Sequence, residues 1–142
     1  MSALPILLLV DDDDTTNFLN TMLLKDLHPG VQVHAAGNGQ AGLDLLSTYC
    51  QPSAPHTHCP TLVFLDINMP VLDGFGFLES LQRLPAAERQ GVVVVMLTTS
   101  VNPRDLARLE GLPVAGSLSK PLTAAKLNQV LADHFPPRPA AQ

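Results

Sequence analysis

The chain has 142 residues, 46% of them apolar and 15% charged, with a formal net charge of -5. That length suits one domain of ordinary size, and the apolar content excludes a wholly disordered chain. An acidic balance without any basic run argues against nucleic-acid or anionic-membrane binding.

In chain order, the apolar stretch Leu4–Val10 has no basic segment before it and is too short to span a bilayer. It predicts a buried strand at Ile6–Val10 and, with no leader, a cytoplasmic protein. Asn17–Leu27 places Phe18, Leu19, Met22, Leu23 and Leu27 at helical spacing, which predicts a helix with Phe18 and Met22 in the core. A strand at Val31–Ala35 and a helix at Gly39–Tyr49 follow. Leu62–Leu65 and Val92–Leu97 are apolar throughout, as strands covered on both faces should be. Phe75–Leu84 is a helix with Phe75 and Phe77 inward, and Pro103–Leu112 a fourth helix. Val114–Leu118 is a weaker strand, and Thr123–Phe135 a final helix with Leu127, Val130, Leu131 and Phe135 on one face.

Strands alternating with helices imply right-handed crossovers and a doubly wound parallel α/β sheet. Residues 1–135 are expected to form the one domain, and residues 136–142 a disordered Pro/Ala-rich tail. Segment 50–60 is a long loop rich in Pro, Ser and His. Its Cys50 and Cys59 are expected to be free thiols in a reducing compartment. Cys50, His56, His58 and Cys59 fit no standard zinc spacing and are read as polar loop.

In an open parallel sheet, ligand chemistry gathers beyond the carboxyl ends of the strands. Asp11–Asp14 follow the first apolar run, Asp66 and Asn68 the third, Thr98–Ser100 the fourth, and Lys120-Pro121 the fifth. Neighbouring carboxylates repel unless a cation neutralises them, and a donor set of oxygens alone suits a hard ion such as Mg²⁺. Asp11 and Asp12 are read as cation ligands, Asp13 and Asp14 as helix-capping acids. Gly37-Asn38-Gly39-Gln40-Ala41-Gly42 matches G-x-G-x-x-G literally. A dinucleotide site there would leave the acids, Thr98 and Lys120 without a role, so a turn with close helix packing is preferred.

Leu-Leu-Val-Asp-Asp-Asp (8–13), Phe-Leu-Asp-Ile-Asn-Met-Pro-Val-Leu-Asp-Gly (64–74), Met-Leu-Thr (96–98) and Ser-Lys-Pro-Leu (119–122) resemble the signature blocks of the two-component receiver family. They stand in the family's order across nearly the whole chain. The resemblance implies a flavodoxin-like (βα)5 fold with strand order 2-1-3-4-5. It implies a phospho-accepting switch in which Asp66 takes a phosphoryl group from phosphohistidine on a sensor histidine kinase or histidine phosphotransfer protein. Asp12 would then bind Mg²⁺ directly, Asp11 through water, and Asn68 through its backbone carbonyl, beside Asp66. Thr98 and Lys120 would hold the phosphoryl oxygens. Such a protein would signal to a downstream partner through its fourth helix, fifth strand and fifth helix, catalysing only its own phosphorylation and dephosphorylation.

Several positions depart from the family pattern. Ser117 stands three residues before Lys120, where many receivers carry an aromatic switch residue, and Pro113 lies near the usual helix-ending glycine. Asn68 and Ser100 occupy positions that influence phosphate lifetime. Pro121 resembles the proline that follows a cis bond in the family. Two rival readings are a degenerate receiver used as an unphosphorylated binding module and an aspartyl-phosphate phosphatase. The phosphatase is disfavoured because Asn68, two residues after Asp66, cannot transfer protons.

Overall fold

The computed structural model describes residues 5–50, 59–67, 69, 71–84, 92–99, 103–109 and 111–135. Five parallel strands form one sheet in the order β2-β1-β3-β4-β5. They are β1 (Leu7–Val10), β2 (Val33–Ala36), β3 (Leu62–Asp66), β4 (Val93–Thr98) and β5 (Gly116–Ser119). The helices between and after them are α1 (Asp14–Leu27), α2 (Gly39–Tyr49), α3 (Gly74–Arg83), α4 (Pro103–Leu109) and α5 (Ala124–His134). This is the expected flavodoxin-like order, and the expected cis bond stands between Lys120 and Pro121. No helix of the described residues is long and apolar enough to cross a membrane.

The uniformly apolar strands are explained by burial on both faces. Leu8, Val10, Val63, Leu65, Val94 and Met96 point to the side that packs on Leu43, Leu46, Phe75, Phe77 and Leu78 of α2 and α3. Their alternating neighbours Leu7, Leu9, Leu62, Phe64, Val95 and Leu97 meet Leu24 of α1 and Leu127 and Val130 of α5 on the other side. α4 lies beside α3, with the Arg108 guanidinium 3.8 Å from the Phe75 ring centroid.

Helix starts are set by side-chain caps. Asp13 accepts from the Thr15 and Thr16 N–H groups at 3.0 and 3.4 Å, Asn38 from Ala41 at 2.8 Å, and Asp73 from Gly76 at 2.8 Å. The G-x-G-x-x-G match is a packing device. A Cβ on Gly39 would come within 2.5 Å of the Leu72 carbonyl oxygen, and one on Gly42 within 3.0 Å of Val10. α4 ends earlier than its apolar pattern suggests, and Gly111 just beyond it adopts φ 82°.

Two expectations are corrected. Cys50 and Cys59 are joined in a disulfide across the base of the α2–β3 connection. The spacing disclosed nothing of this, because their approach follows from where α2 ends relative to the start of β3. Phe18 and Met22 are exposed at 63% and 54%, with Leu19 between them at 57%. The buried side of α1 is Asn17, Asn20 and Leu24. The Asn17 amide donates to the carbonyls of Asp11 at 2.9 Å and Ala36 at 3.3 Å. These bonds pin that side of the helix to the strand ends and turn the Phe18–Met22 side outward. Phe75 and Phe77, by contrast, are core residues as expected.

Candidate functional site

The sheet register assembles the site. Val10 of β1 pairs with Leu65 of β3, so Asp11 emerges beside Asp66. Asp66 pairs with Leu97, which leaves Thr98 one step further out, and Thr98 pairs with Ser119, after which comes Lys120. The Lys120 N–H donates to the Thr98 carbonyl at 2.8 Å and extends that pairing by one residue. Residues up to 109 positions apart thus share one end of one sheet.

The Lys120 ammonium donates to Asp11 Oδ2 at 2.6 Å and stands 3.7 Å from Asp66 Oδ1. The other Asp11 oxygen, Oδ1, accepts from the Asp13 N–H at 2.9 Å. Asp11, Asp66 and Thr98 are buried and Asp12 is exposed. Oxygens of Asp11, Asp12 and Asp66 lie within 4.8 Å of one another. Asn17 carries the Asp11 backbone from beneath, a role that helical periodicity does not disclose, since a polar side chain on an amphipathic helix is ordinarily assigned to its solvent face.

Burial raises the Asp66 carboxyl above its ordinary range, the negative charges of Asp11 and Asp12 raise it further, and Lys120 only partly offsets them. Burial acts to lower Lys120, but the hydrogen bond and charge of Asp11, with Asp66 and Asp12, outweigh it and hold the ammonium above its usual value. Asp13 is held low, chiefly by the Thr16 hydroxyl, as befits a capping carboxylate. A carboxylate pushed up by burial and by like-charged neighbours favours a cation among them. The donors are hard oxygens without Cys or His, which fits Mg²⁺.

Of the residues expected from sequence, Asp11, Asp12, Asp66, Thr98 and Lys120 lie together at the carboxyl end of the sheet. Asn68 lies outside the described residues, as does Ser100. The loop between β3 and α3 is shaped by Gly74, whose Cβ would come within 2.6 Å of the Asp66 carbonyl oxygen. In the same loop Val71 holds φ 70°. Ser117 is exposed on β5, the edge strand.

A doubly wound sheet of this order, with three acids and a lysine at its carboxyl end, defines a receiver-type architecture. Residues 7–132 match the response regulator receiver domain family, and the chain belongs to it. It is 29% identical over 128 residues to a probable chemotaxis protein CheY of Rhizobium etli, covering 90% of each chain. It is 30% identical over 129 residues to a probable methanogenesis regulatory protein of Methanothrix harundinacea, covering 90% of this chain and 79% of that one. Among solved structures, a two-component response regulator from Cytophaga hutchinsonii superposes with a TM-score of 0.77 at 30% identity, covering 91% of this chain and 95% of that one. A receiver protein from Dyadobacter fermentans gives 0.76 at 28% identity, covering 92% and 97%. The chain is thus a receiver domain of two-component signalling.

Proposed function

We propose that this receiver accepts a phosphoryl group on Asp66 from a phosphohistidine, in a Mg²⁺-dependent reaction, and signals through protein contacts. The carrying observation is the cluster itself: the Lys120 ammonium between Asp11 and Asp66, with Asp12 within reach of both acids. In this reading a carboxylate oxygen of Asp66 attacks phosphorus, a P–O bond forms, and the P–N bond to the donor imidazole breaks. Asp11, Asp12 and Asp66, with the Asn68 carbonyl, would hold Mg²⁺, which when bound neutralises phosphoryl charge. Lys120 turns from Asp11 to a phosphoryl oxygen, and the Thr98 hydroxyl donates to another.

The donor is a sensor histidine kinase or histidine phosphotransfer protein. The downstream partner meets α4, β5 and α5, and with a net charge of -5 neither nucleic acid nor membrane is part of the reading. The chain catalyses only its own phosphorylation and dephosphorylation. Incubation with acetyl phosphate and Mg²⁺ should add one phosphoryl group by mass, and Asp66→Asn should abolish it. Undiminished labelling of Asp66→Asn would overturn the proposal. Turnover of a generic phosphomonoester would favour the phosphatase reading instead.

A further inference from the structure

Lys126, in the first turn of α5, spends its ammonium on the segment that carries Lys120. Its Nζ donates to the Ser119 carbonyl at 2.7 Å, the Pro121 carbonyl at 3.0 Å and Ser119 Oγ at 3.2 Å. An ammonium has three donors, and each is matched. Two of the acceptors are carbonyls of the residues on either side of Lys120, so one side chain brackets the residue that carries the ammonium of the site.

Helix stability does not account for a lysine there. A cation in the first turn of a helix faces the positive end of the macrodipole, and the first turn of α5 holds no acid to offset it. The backbone of Lys126 is fixed in turn, because its N–H donates to Oγ1 of Thr123, the residue capping α5. The Lys120 side chain must serve Asp11 at 2.6 Å while standing 3.7 Å from Asp66, so a small rotation of its backbone would move the ammonium off that line.

We infer that Lys126 is a positioning residue for phosphoryl transfer, holding the backbone of the two neighbours of Lys120, Ser119 and Pro121, so that the Lys120 ammonium faces Asp66. The inference rests on the phospho-accepting reading above. It places on α5 a contact through which the surface and the phosphorylation site affect each other.

The test is a double-mutant cycle on initial rates of labelling by acetyl phosphate with Mg²⁺. Lys126→Met should slow labelling about tenfold, the lower end of what loss of an orienting partner one step from the reacting groups costs. In a Lys120→Ala background, Lys126→Met should change nothing further, because the residue through which it acts is gone. A merely structural role would slow both backgrounds by the same factor, and that result overturns the inference, as does an unchanged rate in the parent background. Lys126→Gln, which keeps an amide donor on a shorter stem, should fall between the two and serves if the Met variant folds poorly. Absence of label on the unmutated protein would instead defeat the phospho-accepting reading, so the two failures are distinguishable.

Discussion

Lys120 is bonded to Asp11, not to Asp66: its Nζ is 2.6 Å from the former and 3.7 Å from the latter. The ammonium therefore neutralises the acid cluster from within, occupying charge that a divalent cation would also seek. Lys120→Met keeps the stem and removes that competition. Mg²⁺ affinity by calorimetry should tighten about tenfold, equivalent to ~1.4 kcal/mol, while acetyl-phosphate labelling slows about 100-fold. An unchanged or weaker Mg²⁺ affinity would show that Lys120 does not compete. Because the folded state raises the Lys120 pKa, the pairing contributes fully below the unfolded lysine value of about 10.4 and is lost as pH rises through the higher folded value.

The raised Asp66 carboxyl carries the opposite stability message at neutral pH. Its folded-state pKa lies above the unfolded value, so the fold favours the protonated form. Stability falls as pH rises from the unfolded carboxylate value of about 3.9 through the folded one. Asp66→Asn removes a charge that burial and the neighbouring acids both penalise, without changing shape. Urea unfolding without metal at pH ~7 should show the variant about 1 kcal/mol more stable, with the gap closing near pH ~3. Equal stability of the two proteins at neutral pH would contradict the account from burial and like charge.

Val71 occupies the left-handed region at φ 70°, where a β-branched side chain is strained, and is 82% exposed, so little packing offsets the cost. Val71→Asn or Val71→Gly should stabilise the fold by about 1 kcal/mol, raising Tm by roughly 4 °C. A fall in Tm for both variants would show that the side chain contributes more than its exposure indicates.

The Cys50–Cys59 disulfide joins residues nine apart in sequence. By loop-closure entropy, a cross-link of that span stabilises by about 2.7 kcal/mol, so Cys59→Ala should lower Tm by roughly 8–10 °C. Alkylation of the unfolded protein without reductant should leave both sulfurs unlabelled. Recovery of two alkylated thiols from protein purified without reductant would return the pair to the reduced state expected for a cytoplasmic protein.

Much of this protein was legible from its sequence because the relevant physics is local. Apolar runs such as Leu62–Leu65 cannot be solvated and so mark buried strands. Asp13, read as a capping acid from its place before the first helix, caps α1 through hydrogen bonds that span two or three residues. Chemistry clusters at strand ends, which is why Asp11, Asp12, Asp66, Thr98 and Lys120 were identifiable before their distances were known.

Tertiary structure alone decided how those pieces face one another. The outward turn of Phe18 and Met22 came from Asn17 reaching carbonyls at the ends of two different strands, a contact invisible to helical periodicity. The disulfide needed the end of α2 to meet the start of β3. The choice of Asp11 over Asp66 as the partner of Lys120, and the bracket that Lys126 places around it, depend on differences of about an ångström across the sheet edge. Residue order restricts which groups can meet, but separations that small are fixed only by the packed backbone, and they determine which charges pair.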